Sequence, residues 1–174
     1  ALSGTEVSLA DDGEILVRGP GVFQGYLKDE AATAAAFTDE GLFRTGDLGQ
    51  IEDGFVRIVG RKKDILVTAG GKNIAPVPLE PALEGGPVEA AVVIGDDRPY
   101  LVALLALRPG EDAHVVQAHV DQAMASFPRF EQIKRWALIS EVPSEENGLL
   151  TPTLKLKRRA VLARYADLID GLYD

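Results

Sequence analysis

The chain has 174 residues, 46% of them hydrophobic and 26% charged, a globular composition with room for one ordinary domain or a small domain plus part of another. Eighteen Lys and Arg against 27 Asp and Glu give a formal net charge of -9, which speaks against general nucleic-acid binding because that needs a broadly basic face. The absence of Cys excludes thiolate catalysis, disulfides and Cys-based zinc sites and fits a reducing cytoplasm, and the most apolar run, Leu101 to Leu107, is strand-sized and too short to cross a membrane.

The start, Ala1-Leu2-Ser3-Gly4, leads into a strand without an initiating Met, a basic n-region or an apolar h-region, and reads as the excised tail of a longer protein. Asp11-Asp12-Gly13 is a hairpin turn between strands at 6–9 and 14–18. Residues 29–37 form a short Ala-rich helix with Asp29 as N-cap. Strands follow at 42–47 and 54–59, with Glu52-Asp53-Gly54 turning before the second. Up to about residue 60 the chain is therefore β-rich with one small helix.

From Arg61 onward strands and helices alternate. A strand is predicted at 64–68, and a helix at 78–83 with prolines in its first turn, where they cost least. Apolar strands at 88–94 and 100–107 flank the turn at 95–99. An amphipathic helix at 112–126 places Val116, Val120, Ala123 and Phe127 on one side. A strand at 133–139 and a closing helix at 159–172 complete the chain, the helix with a stripe of Val161, Leu162, Tyr165, Leu168, Ile169 and Leu172. The fold class is α+β, with a β-rich piece at 1–60 and a compact α+β domain at 61–174.

Three motifs carry chemistry. Gly60 to Pro76 joins the cations Arg61, Lys62 and Lys63 to a short β-branched run, a Gly70-Gly71 turn and Lys72. Basic groups beside a Gly-rich turn suit a phosphate-bearing ligand, although Lys residues also guard exposed strand edges against aggregation. Thr45-Gly46-Asp47 ends a strand with an acid; such a carboxylate can accept from two vicinal hydroxyls, as on a ribose, or cap its own turn. In the third motif, Thr151 to Arg159, cations run into the N-terminal end of the last helix with no acid in its first turn, against the helix dipole, which suits an anion or the acidic surface of another domain visiting there, or else a plain solvated face.

Three lookalikes fail. In Gly19-Pro20-Gly21-Val22-Phe23-Gln24-Gly25 the third Gly comes one residue late for a dinucleotide fingerprint, and Gly70-Gly71-Lys72-Asn73 lacks the spacing and the Ser/Thr of a P-loop. His114 and His119, five apart, miss the i, i+4 face that a metal needs and read as surface residues, so no metal site is expected.

Taken in order, the motifs resemble the C-terminal part of the adenylate-forming superfamily, the AMP-forming acyl-CoA synthetases, most of all its long-chain fatty acyl branch. The resemblance rests on Arg18-Gly19-Pro20, Gly25-Tyr26-Leu27, Thr45-Gly46-Asp47, Gly60-Arg61-Lys62-Lys63-Asp64, Gly70 through Pro76, Leu79-Glu80 and the Lys155 motif, and so covers nearly the whole chain. It implies the β-rich end of a large N-terminal adenylation domain followed by a small mobile C-terminal domain. It implies that Asp47 holds the ribose of ATP or acyl-AMP with Arg61 assisting, that Lys63 or Asp64 is the hinge, that Gly70, Gly71 and Lys72 line the CoA path, and that Lys155 is catalytic in adenylation. The family motif reads Thr-Pro-Ser-Gly-Lys; here Leu154 replaces its Gly, and Lys157 is the secondary candidate.

The implied reaction is ATP, fatty acid and CoA to acyl-CoA, AMP and pyrophosphate with Mg2+, in a cytoplasmic or membrane-peripheral enzyme. The chain's own N-terminal domain is then its partner, and the chain is expected to be inactive alone and to hold no cofactor tightly. Two alternatives stay open: a fatty acyl-AMP ligase that loads a carrier protein, and a non-catalytic nucleotide-sensing or interaction module.

Overall fold

The structure, a computed structural model, describes residues 3–174. Ala1 and Leu2, the start of the expected lead-in, lie outside the described residues. The chain divides into two compact units, Ala1–Ile65 and Leu66–Asp174.

The first unit is an antiparallel meander of β1 (Glu6–Leu9), β2 (Glu14–Arg18), β3 (Phe43–Glu52) and β4 (Phe55–Arg61), in that spatial order. Asp11-Asp12-Gly13 makes the first hairpin, with Gly13 N–H donating to Ala10 O at 2.9 Å. Asp53 (φ 51°) and Gly54 (φ 80°) form the two-residue turn between β3 and β4, both in the left-handed region that a type I′ hairpin requires. Helix α1 (Glu30–Ala36) begins where Asp29 accepts from Ala32 N–H. Phe23, Tyr26, Phe37 and Phe43 stack beside it, with ring centroids 5.0–5.7 Å apart.

Strand β3 runs five residues past the predicted end at Asp47. Thr45-Gly46-Asp47 is not a strand end but an irregularity within it, where the register against β2 shifts between Glu14 and Leu16. The apolar side of this sheet is poorly covered. Val7, Ile15, Val17, Ile51, Phe55, Val56 and Ile58 line a groove of about 770 Å³ with Asp47 and Thr45 among them. Phe55 and Ile58, on the edge strand β4, are 78% and 62% exposed.

The second unit is built on β7 (Val88–Ile94), β8 (Leu101–Leu107) and β9 (Ile133–Ile139), with β8 central. β7 is antiparallel to β8, and β9 is parallel to it, so the chain needs a crossover between them. Helix α3 (Val116–Met124) provides it. Alternation along β8 divides the core: Leu101, Ala103 and Leu105 pack with α3 and α2 (Leu79–Leu83), while Val102, Leu104 and Ala106 pack with Val161 and Ile169 of α4 (Arg158–Arg164) and α5 (Ala166–Asp170). Burial on both faces explains why β8 is apolar at every position.

Three expectations are corrected here. The strand predicted at 64–68 is a 3₁₀ turn at Lys62–Asp64 followed by a two-residue β5 (Leu66–Val67) paired with β6 (Asn73–Ile74), because charged residues at 62–64 have no apolar face to bury. The helix predicted at 112–126 begins as a 3₁₀ turn at Ala113–Val115, capped by Asp112. The closing helix is two helices broken at Tyr165 (φ -111°, ψ 24°); the bend lets Val161 and Ile169 both reach the sheet and turns Leu168 outward, 39% exposed.

Candidate functional site

In the first unit, Asp47 and Arg61 are cross-strand partners on β3 and β4, and Arg61 Nε donates to Asp47 Oδ1 at 2.8 Å. Among the described residues Asp47 Oδ2 has no hydrogen-bond partner, so one carboxylate oxygen is oriented and the other stays available. The alternative use of this Asp, capping its own turn, falls to Thr45 instead: its hydroxyl accepts from Asp47 N–H at 3.1 Å and donates to Ile15 O at 2.7 Å.

Gly46 has φ +71°, where a side chain is strained, and its N–H donates at 3.0 Å to Oε1 of Glu14. Glu14 was missed by sequence reasoning. It is 3% exposed, and its other oxygen accepts from Lys62 Nζ at 3.2 Å and Arg44 Nη1 at 3.4 Å. Lys62 also bonds Asp12, which holds the Asp12 carboxyl below its ordinary value and the Lys62 ammonium above its own. Glu14, Arg44, Gly46, Arg61 and Lys62 contribute to a shallow open depression of about 650 Å³. A cation cluster in an acidic chain calls for counter-charges, and that was the available clue; the register shift that brings Glu14 to it leaves no mark in the sequence.

Lys63 and Asp64 lie on the 3₁₀ turn at the end of this unit, Lys63 exposed and Asp64 half-buried.

The remaining candidates belong to the second unit. Gly70 and Gly71 form the exposed tip of the β5–β6 hairpin. Thr68 closes its base: Thr68 N–H donates to Lys72 O at 3.0 Å, and Lys72 N–H to Thr68 Oγ1 at 3.1 Å. A side chain at Gly71 would meet nothing within 4 Å, so its φ of +73° is what favours Gly there. The Lys72 ammonium lies 5.7 Å from the Phe130 ring centre.

Lys155 sits on a tight hairpin. Leu154 N–H donates to Thr151 O, Thr151 N–H to Lys155 O (both 2.8 Å), and Lys155 N–H to Thr151 Oγ1 at 3.0 Å. The backbone is thus fixed while the Lys155 side chain is exposed. Leu154 has φ +58°, the left-handed region that favours glycine, and is 73% exposed. Lys157, also exposed, is the N-cap residue of α4, and its N–H donates to Leu149 O at 2.8 Å.

The counter-charge at α4 is corrected from an anion or another domain's surface to a residue of the same unit. Arg158 donates to Glu80 Oε1 and to Val93 O, each at 2.7 Å, and Glu80 Oε1 also accepts from Val93 N–H at 2.9 Å. Burial pushes the Glu80 carboxyl up, more than Arg158 and the Val93 N–H pull it back. His119 is corrected from surface residue to half-buried tie, its Nε2 2.8 Å from Leu83 O at the end of α2. Among the described residues no three His, Asp or Glu gather to hold a metal, and no helix is long and apolar enough to cross a membrane.

The family model described as "AMP-binding enzyme C-terminal domain" matches residues 63–174. The long-chain-fatty-acid–CoA ligase FadD15 of Mycobacterium tuberculosis is 41% identical over 98% of this chain, which spans 33% of that protein. The long-chain-fatty-acid–CoA ligase ACSBG1 of Mus musculus is 34% identical over 92% of it, 28% of its own length. The chain thus spans about a third of the length of the curated relatives it matches. Among solved structures, apo MatB of Rhodopseudomonas palustris aligns at TM-score 0.67 and 28% identity, covering 97% of this chain and 35% of that one. The A domain of a carboxylic acid reductase from Segniliparus rugosus, solved with AMP and a co-purified carboxylic acid, has the same fold at TM-score 0.82 and 22% identity, covering 97% of this chain and 31% of that one.

Proposed function

Because the chain belongs to the AMP-binding enzyme C-terminal domain family, we propose that the full-length protein is a long-chain fatty acid–CoA ligase in which this chain supplies a nucleotide contact, a pivot and a mobile catalytic lysine. A fatty carboxylate attacks the α-phosphorus of ATP, expelling pyrophosphate and forming acyl-AMP. The thiolate of CoA then attacks the acyl carbonyl, and AMP leaves.

The Asp47–Arg61 pair carries the reading. Arg61 turns one carboxylate oxygen toward itself and leaves Oδ2 to accept from ribose hydroxyls, a fit for a nucleotide sugar. Mg2+ would accompany the phosphates of ATP; among the described residues no cluster of His, Asp or Glu gathers to ligate it. Lys155, on a rigid hairpin with a free-standing ammonium, stabilises charge developing at the α-phosphate. The left-handed backbone at Leu154 supports this register, because that is the place of Gly in the family motif, one residue before the lysine. Lys157 is the alternative donor. The turn at Lys63 and Asp64 is the pivot; rotation there withdraws Lys155 after the first step and brings Gly70, Gly71 and Lys72 to the CoA path.

The test uses the full-length protein with Mg-ATP, a long-chain fatty acid and CoA. Acyl-CoA, AMP and pyrophosphate are expected in equal amounts. Acyl-AMP accumulating with CoA untouched would instead mark a carrier-loading ligase, and no ATP turnover with any carboxylate would leave the non-catalytic module.

A further inference from the structure

We propose that Glu14 is the residue that sets Asp47 in position for the ribose, an inference that rests on the nucleotide reading above. Asp47 is reached through an irregular stretch of β3, and its placement depends on what fixes that stretch. Two bonds do so. Thr45 ties it to Ile15 O through its hydroxyl, and Glu14 accepts the Gly46 N–H, the amide immediately before Asp47. Gly46 holds a left-handed backbone and packs nothing beneath it, since a Cβ there would meet no atom within 4 Å. Its conformation is therefore held by hydrogen bonding and not by packing.

Glu14 suits that task. It is 3% exposed, on the regular strand β2, and both of its oxygens are engaged: Oε1 by Gly46, Oε2 by Lys62 and Arg44. The two cations supply the counter-charge that a buried carboxylate needs, and a carboxylate paired in this way accepts the Gly46 N–H in a charge-assisted bond. Lys62 is the residue after Arg61, so the same carboxylate also steadies the strand end from which Arg61 reaches Asp47. Both halves of the ribose contact, carboxylate and guanidinium, thus lean on one buried acid.

The prediction is a change of sugar discrimination, which a merely structural residue would not move. In the full-length protein, pyrophosphate release is measured with ATP and with 2′-deoxy-ATP. The natural protein prefers ATP, and Asp47→Asn abolishes most of that preference. Glu14→Gln, which keeps shape and an acceptor but loses charge, lowers kcat/KM about 10- to 100-fold for ATP and much less for 2′-deoxy-ATP, so the ratio falls toward one. Should Glu14→Gln not fold, Glu14→Gln with Lys62→Met removes a cation with the carboxylate and serves the same measurement. Equal losses with both nucleotides, an unchanged ratio beside a collapsed Asp47→Asn ratio, or failure of both variants to fold would each overturn the proposal. An Asp47→Asn ratio equal to that of the natural protein would instead sink the ribose reading itself.

Discussion

Lys155 and its neighbour Leu154 separate chemistry from geometry at adjacent positions. Lys155 takes part in no ion pair among the described residues, and its own backbone is closed into the Thr151 hairpin, so replacing the side chain leaves the loop intact. Lys155→Ala in the full-length protein is expected to slow adenylation about 10²–10³-fold while thioester formation from supplied acyl-AMP stays within a few-fold. Pyrophosphate release and acyl-CoA formation, followed separately, decide this; equal damage to both half-reactions would make the lysine structural, and a selective defect in Lys157→Ala would move the role two residues along. Leu154 carries a different cost. A branched side chain at φ +58° is strained, and with most of its surface in water it returns little by packing. Leu154→Gly is expected to stabilise the chain by about 1 kcal/mol, roughly 2–4 °C in Tm, with the Lys155 loop unchanged. A fall in Tm would mean that the leucine packs in solution.

Helix α4 shows why one tie between elements can replace a local cap. Its first turn has no acid, yet Arg158 at its start reaches Glu80 of α2 and the carbonyl of Val93 in β7. Removing the Glu80 side chain leaves a half-buried guanidinium and the Val93 N–H short of an acceptor, so Glu80→Ala should cost about 1–3 kcal/mol, read by denaturant unfolding. The pH dependence has a definite sign. Unfolded, Glu80 titrates near its ordinary 4.5; folded, burial raises it. Its contribution is therefore complete below about 4.5 and declines as the pH rises through the raised folded value. Relative to Glu80→Gln, the natural chain should lose stability with rising pH across that window. A gain instead would show that Arg158 outweighs burial.

The elements were legible wherever periodicity and turn chemistry agreed. β1, β2, β7 and β9 stand at their expected residues, as do the Asp29 cap and the turn at Asp53-Gly54. Failures came where a long-range contact overrides local pattern. The break at Tyr165 serves the sheet beneath it, the irregularity at Gly46 serves Glu14, and Lys62 on the short 3₁₀ turn reaches back to Asp12 and Glu14 on the first hairpin. Sequence motifs supplied the candidate residues Asp47, Arg61 and Lys155, but the buried Glu14 of the first unit and the half-buried Glu80–Arg158 pair of the second required a register or a pairing that no local window contains.

For the whole molecule, the pivot proposed at Lys63 and Asp64 lies at the end of the first compact unit, and its motion is open to measurement. With dyes on Glu52→Cys and Lys134→Cys, both exposed, in a Cys-free full-length background, energy transfer is expected to take distinct values with ATP plus fatty acid and with an acyl-AMP analogue plus CoA. One unchanged value under every ligand would remove the pivot.

The edge strand β4 has a consequence for how the chain behaves in a tube. Its outer hydrogen-bonding side is unpaired in the sheet, and Phe55, Val56 and Ile58 stand exposed along it, with no Lys or Pro within Phe55–Val59 to discourage another strand from joining. Only Arg57 interrupts the apolar run. Such an edge favours pairing with a strand of a second copy, a tendency that the net charge of -9 opposes. Added salt screens that repulsion and strengthens apolar contact, so the concentrated chain should become turbid as ionic strength rises, the reverse of salting-in, with light scattering against salt as the measurement.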